Sequence, residues 1–187
     1  KVLVHWNLEE SQVLKNLKIR NVPSPILGKY AWTGLYKPFE HQKDTAAFLT
    51  LHRRAFCLNE QGTGKTGSVI WAADYLMTKG AVKRVLILCP LSIMQTSWQN
   101  DLFKFAVHRT VDVAYGTPEK RKKIVSGTAE FIIINYDGVP SVFEELKKWR
   151  STLARASGVP AYVICHDTTL AAVAVVVRVL LPAASTR

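Results

Sequence analysis

The residues with types and spacing suited to chemistry are Asn59-Glu60-Gln61-Gly62-Thr63-Gly64-Lys65-Thr66. A short apolar run, Ala55-Phe56-Cys57-Leu58, reads as a strand leading into them, and residues 67–77 behind them have helical periodicity. Strand, glycine loop, Lys-Thr and helix is the setting of a phosphate-binding loop. Gly62 and Gly64 let the backbone curl, so that N–H groups along Gln61 to Thr66 turn toward phosphate oxygens. The positive end of a helix starting near Lys65 favours an anion at the same place. The Lys65 ammonium is the group that reaches β- and γ-phosphates and on which catalysis would depend, and the Thr66 hydroxyl is the Mg²⁺ ligand. The pattern G-x-x-x-x-G-K-[ST] asks for glycine where this chain has Asn59. Asparagine tolerates left-handed backbone better than most residues, so the loop is expected to form with it.

Upstream stands Phe39-Glu40-His41-Gln42. A glutamine amide can pair both its N and its O with the edge of adenine, which supplies both a donor and an acceptor, so Gln42 ahead of a phosphate loop reads as an adenine contact. Two turns beyond the loop also end in polar residues: Pro90-Leu91-Ser92 after the apolar run Val85 to Cys89, and Asn135-Tyr136 after Phe131-Ile132-Ile133-Ile134. Open parallel sheets bind ligands past the carboxyl ends of their strands, which makes the Pro90 turn a candidate phosphodiester contact. An ordinary helix cap at Ser92 explains that turn equally well. The run Lys120-Arg121-Lys122-Lys123 reads either as a solvated helix face or as a contact to a nucleic-acid backbone.

The elements that must position these residues can be read from periodicity and breakers. Helices are expected at residues 9–17, 38–51, 68–77, 93–105, 119–125 and 142–155, and buried strands at 85–89, 111–115 and 131–135. Ser92 would cap the helix over 93–105. Lys79-Gly80 should stop the helix after the loop. Pro23, Pro25 and Gly28 break the opening segment, which would pack onto the domain behind it through Trp32 and Tyr36. Continuous apolar strands alternating with helices describe an α/β domain with a mainly parallel sheet, its motifs gathered along one rim by right-handed crossovers.

The net charge is +11 with a pI near 9.7, which favours a polyanionic partner. Hydrophobic residues make up 48%, enough for a packed core and too much for a disordered chain. Cys57, Cys89 and Cys165 lie far apart in apolar runs, so they read as buried strand residues, not metal ligands or a disulfide framework. A reducing cytoplasm fits, whether in a bacterial or phage-infected cell, or association with the nucleoid. No signal peptide is evident. The apolar run over 170–181 is broken by Arg178 and too short to span a bilayer. The chain opens on Lys1, which suggests that a further piece precedes it.

Taken in order, Phe39 to Gln42, Asn59 to Thr66, Leu88-Cys89-Pro90-Leu91-Ser92 with Trp98, and Ile133-Ile134-Asn135-Tyr136-Asp137 resemble successive motifs of superfamily two helicases. The likeness is to the Swi/Snf-type branch, phage-type DNA helicases in particular, and covers about residues 20–145. It implies a RecA-like first motor lobe, a mainly parallel P-loop sheet flanked by helices, that binds ATP and Mg²⁺ and moves on duplex DNA. By that likeness Gln42 reads adenine; Gln61, Gly62, Thr63, Gly64, Lys65 and Thr66 hold phosphate and metal; and Pro90, Leu91, Ser92, Asn135 and Tyr136 contact the DNA backbone. A second motor lobe would be a partner that this chain does not contain.

The resemblance also calls for an Asp-Glu pair at a strand end, the aspartate supporting Mg²⁺ and the glutamate positioning water. The chain has no Asp-Glu pair. Tyr162-Val163-Ile164-Cys165-His166-Asp167 reads as a strand ending in an aspartate, but Thr168 comes after it. Composition also breaks: 21 Lys+Arg and 13 Asp+Glu up to Trp149, then 4 and 1. Residues 149–170 resemble the opening of a helicase-and-RNase-D C-terminal domain, a small nucleic-acid-binding helical bundle. The expected division is an accessory segment over 1–36, a partial RecA-like lobe over 37–149 and a divergent tail over 150–187, in a truncated, fused or frame-shifted chain. The expected function is the ATP-binding lobe of a DNA helicase or translocase, not hydrolysing ATP alone. The alternative is a nucleic-acid-binding module with a vestigial phosphate loop. A small-molecule kinase fits less well, since it needs neither the Phe39 element nor the Pro90 turn.

Overall fold

The computed structural model describes residues 3, 5–52, 54–156, 158–164 and 178–179. These residues fall into two compact units, one of Lys1–Gly80 with Asp101–Val107, the other of Ala81–Asn100 with His108–Arg187.

The first unit is helical. Helix α1 (Leu8–Asn16) is capped by Asn7, whose side chain accepts the Glu10 N–H. A short α2 (Ile26–Lys29) comes after Pro25. Helix α3 (Glu40–Leu51) begins two residues later than its proline suggested, with Pro38 just outside and Phe39 extended at the cap. Gln42 reaches back to accept the Phe39 N–H at 3.0 Å, which satisfies a donor that the first turn cannot. Helix α4 (Lys65–Thr78) is buried along most of its length and stops at Lys79-Gly80 as expected, with the Gly80 N–H on the Met77 carbonyl at 2.9 Å. Most of α5 (Asn100–Phe105) belongs to the same unit. An aromatic layer joins these parts. Trp32 meets Trp71 edge-on at 5.8 Å, Trp71 meets Phe105 at 4.8 Å, and Tyr36 packs on Phe105 at 6.1 Å. The opening segment thus packs onto α4 and α5 through the two rings the sequence pointed to.

The strand expected at Ala55 to Leu58 is absent. Those residues are irregular, and Phe56 and Leu58 are each 88% exposed. A strand exists only through its hydrogen-bonded neighbour, and among the described residues none pairs with this run. Cys57 is accordingly half-buried in a loop, whereas Cys89 is buried in a strand as expected; Cys165 lies outside the described residues.

The second unit holds the sheet. Its strands are β1 (Val85–Cys89), β2 (Val111–Ala114), β3 (Phe131–Asn135) and the two-residue β4 (Arg178–Val179), in spatial order β2-β3-β1-β4. The first three are parallel and β4 is antiparallel to β1. Every residue of β1 and β3 is buried, as continuous apolar runs in a parallel sheet should be. One core gathers Leu86, Leu88, Ile132 and Ile134 with Val125 of α6 (Pro118–Val125) and Val139, Val142 and Leu146 of α7 (Val139–Ala156).

Two local expectations need correction. The chain after Pro90 is not an α-helix capped by Ser92. It starts as a 3₁₀ turn, Leu91–Ile93, without a side-chain cap, and continues as a π-helix, Met94–Gln99. The Thr96 hydroxyl donates to the Ser92 carbonyl at 2.8 Å and the Asn100 amide to the Thr96 carbonyl at 3.2 Å, side-chain bonds of the kind that bend and widen helices. The run from Tyr162 is also not a strand as far as it is described. Ala161–Ile164 is a short helix, α8, entered from Pro160, which pre-sets a first turn. Asp167 and Thr168, and the apolar run over 170–177, lie outside the described residues.

Candidate functional site

The phosphate loop lies in the first unit and α3 holds it. Gly62 and Gly64 take left-handed conformations, φ 81° and 74°, as a curled loop requires. Gly64 stands at the cap of α4, so the orphan amides of that helix begin at the loop. The Thr63 hydroxyl donates to the Glu60 carbonyl at 2.8 Å and tightens the curl. The Thr63 carbonyl is the focus of two side chains from α3: the Gln42 amide donates to it at 3.1 Å, and a His41 ring nitrogen lies 3.1 Å away. Lys65 Nζ donates to the Asn59 and Glu60 carbonyls at 2.9 and 2.5 Å, which leaves one of its three N–H groups for a phosphate. Gln61 is exposed at the tip and Thr66 is half-buried in the first turn of α4.

Gln42 therefore has a double task. Its Oε1 accepts from Phe39 and its Nε2 donates to Thr63, so one lone pair and one N–H remain, the pair an adenine edge needs. The residues fit a nucleotide's phosphates: two left-handed glycines, a helix start and a lysine already turned into the loop. For Mg²⁺ the chain offers the Thr66 hydroxyl. Among the described residues no cluster of three His, Cys, Asp or Glu side chains could hold a metal.

The second unit carries the other candidate residues. Cys89 pairs with Asn135 and Ala114 with Ile134, so the carboxyl ends of the three parallel strands share one edge of the sheet. The turns at Pro90-Leu91-Ser92, Tyr136–Gly138 and Tyr115-Gly116-Thr117 all leave from that edge. Pro90, Leu91 and Ser92 are exposed. Tyr136 is half-buried against the core, and Asn135 is only 4% exposed, its Oδ1 without a hydrogen-bond partner. Asn135 can thus shape the turn but presents no side chain to a ligand in this conformation. Burial pushes the Cys89 thiol up to about 11, which keeps it protonated at the end of β1. On α6, Lys120, Lys122 and Lys123 are exposed.

The model of the SNF2-related domain family matches residues 3–158. The chain belongs to the SNF2-related family. Its end is similar to the HRDC domain, whose family model matches residues 140–177, overlapping α7 and α8 and running into residues outside those described. A search of the curated proteins finds no match. Among solved structures, the chain is similar to the Sulfolobus solfataricus SWI2/SNF2 ATPase core in complex with dsDNA, at 22% identity and a TM-score of 0.52 over 58% of this chain. It spans 23% of the length of that structure. The parallel sheet flanked by helices is thus a RecA-like fold, in an SNF2-related chain that carries an HRDC-like tail.

Within this SNF2-related chain the loop motif and the upstream glutamine meet directly. Sequence reasoning singled out Gln42 but missed its neighbours. His41 shares the Thr63 carbonyl, and Thr45 accepts a hydrogen bond from the Asn59 side chain at 2.9 Å. Positions 41, 42 and 45 recur at helical spacing, so a helical wheel of α3 would have placed all three toward one neighbour. The bonding of Asn59 had no such signal, because it joins segments far apart in sequence.

Proposed function

We propose that this SNF2-related chain is the ATP-binding part of a motor that couples ATP hydrolysis to movement on duplex DNA, and that by itself it binds nucleotide weakly without turning it over. The observation that carries the nucleotide reading is the Gln42–Thr63 bond. One side chain grips the phosphate loop and keeps a free donor and acceptor for adenine. Lys65 would exchange loop carbonyls for phosphate oxygens, and Thr66 would hold Mg²⁺ against the same phosphates. Bound there, Mg²⁺ would neutralise phosphate charge. The lack of turnover rests on the chain having no Asp-Glu pair to position water. The DNA reading rests on the net charge of +11, on the open turn at Pro90-Leu91-Ser92, and by analogy on the duplex bound by the Sulfolobus ATPase core.

The test is titration of the purified chain with ATP and Mg²⁺, with and without duplex DNA. We expect weak ATP binding that Lys65→Ala reduces by roughly 10- to 100-fold, the value of a charge-assisted contact, and negligible hydrolysis. Robust DNA-stimulated hydrolysis that Lys65→Ala abolishes would overturn the proposed lack of turnover. A second reading is favoured by the exposed Lys120, Lys122 and Lys123 of α6: a nucleic-acid-binding module with a vestigial loop. Salt-dependent DNA binding indifferent both to ATP and to Lys65→Ala would establish it in place of the first.

A further inference from the structure

Where the phosphate-loop pattern has glycine, this chain has Asn59, and its backbone does not use glycine's freedom. Among the described residues, the non-glycine positions with positive φ are Lys18, Asn21 and Trp32. The asparagine is therefore there for its side chain. Asn59 Nδ2 donates to Thr45 Oγ1 at 2.9 Å, and the Thr45 hydroxyl donates onward to the His41 carbonyl at 2.7 Å. The Cys57 thiol donates to Asn59 Oδ1 at 3.5 Å, and the Asn59 carbonyl accepts from Lys65 at 2.9 Å. With its own proton committed to His41, Thr45 turns only lone pairs toward the loop, so a donor such as the Asn59 amide is what fits there.

We propose that Asn59 and Thr45 form a second grip of α3 on the phosphate loop, making Asn59 a positioning residue for nucleotide. His41 and Gln42 hold the far end of the loop at Thr63; one helical turn on, Thr45 holds the near end at Asn59. The helix that carries the adenine-reading amide is thereby tied to both ends of the loop that takes the phosphates. Base and phosphates are then met at a fixed spacing, because one rigid element sets both. The Asn59 carbonyl that receives Lys65 is held by the same residue, so the grip also sets where the lysine rests. This inference rests on the nucleotide reading above.

The experiment compares ATP with inorganic tripolyphosphate, each titrated with Mg²⁺ against the full chain. Asn59→Ala and Thr45→Val should each weaken ATP by roughly fivefold, the value of about one neutral hydrogen bond. Tripolyphosphate should weaken less, so that the preference for ATP falls. The double variant should be no worse than either single one, and Thr45→Ser should retain wild-type binding, which a general loss of folding would not allow. Lys65→Ala should weaken both ligands. If Lys65→Ala does so while Asn59→Ala and Thr45→Val leave the ATP preference intact, or if their effects multiply in the double variant, the second grip is wrong and the nucleotide site stands. If Lys65→Ala changes neither ligand, the nucleotide site fails and the grip fails with it.

Discussion

The phosphate loop and the strand-end edge of the sheet are built on opposite principles. Among the described residues no sheet strand leads into the loop, and Phe56 and Leu58 just before it are exposed. Its shape comes from polar bonds: His41 and Gln42 to Thr63, Asn59 to Thr45, and Lys65 to two loop carbonyls. The turns at Pro90 and Tyr136 leave strands whose every residue is buried, and apolar packing fixes them. A neutral hydrogen bond contributes about 1 kcal/mol net, and burying one large aliphatic side chain about 1.5–3 kcal/mol. The loop should therefore respond to single polar substitutions without unfolding the chain, and the sheet edge should be lost only when its core is lost.

The strongest way to break this contrast is a core truncation. Ile133 is fully buried in the middle of β3, opposite Ile87 and Val113 on the two flanking strands. Ile133→Ala should destabilise the chain by about 2–5 kcal/mol in denaturant unfolding, against about 1 kcal/mol for Gln42→Ala. A larger loss from Gln42→Ala than from Ile133→Ala would mean that packing does not dominate the second unit.

Two glycines sharpen the contrast within the loop. A Cβ on Gly62 would meet nothing within 4 Å, whereas one on Gly64 would collide with Gln42 Nε2. Both residues are left-handed, so alanine costs roughly 1–2 kcal/mol of backbone strain at either. Gly64→Ala must also displace Gln42 and break its bond to Thr63, about 1 kcal/mol more. Gly64→Ala should therefore weaken ATP binding several-fold more than Gly62→Ala, which nucleotide titration of the two variants would measure. Equal effects would mean that the Gln42 contact is irrelevant to the site.

The same contrast explains what the amino-acid sequence revealed. β1 and β3 were legible because a run such as Phe131-Ile132-Ile133-Ile134 has few destinations other than a doubly covered strand. α4 was legible from its Lys-Thr start and its Lys79-Gly80 stop. Ala55 to Leu58 misled because a tetrapeptide's apolarity says nothing about whether a neighbouring strand is there to pair with it. The π-helix after Pro90 depends on the bonds of Thr96 and Asn100 to carbonyls one turn back, which periodicity does not register. Asn135 comes after an apolar run and looked available, yet it completes that strand's burial. At the loop, residue types identified Lys65, Gly62 and Gly64, but the ties to Thr45 and His41 are long-range geometry.

The smallest effect separates electrostatics from packing inside the second unit. Glu130, just before β3, is penalised by burial, but the Thr110 N–H at 3.0 Å and the Arg109 guanidinium at 2.7 Å outweigh that penalty and hold its pKa below the usual carboxylate value. Its folded pKa is depressed, so the carboxylate's contribution is fully present above the unfolded pKa, near about 4.3, and is lost as pH falls through the lowered folded value. The pair is only partly buried, with side-chain exposures of 15% and 29%, which limits the contribution to about 1 kcal/mol. Comparing the wild type with Glu130→Gln in thermal unfolding from pH 7 down to about 3 should show a gap at neutral pH that closes as acid protonates Glu130 in the wild type. High salt should narrow the gap at pH 7 through screening of the Arg109 pair. A gap that persists unchanged at low pH would mean that residue 130 acts through its shape and its bonds to Thr110 and not through its charge.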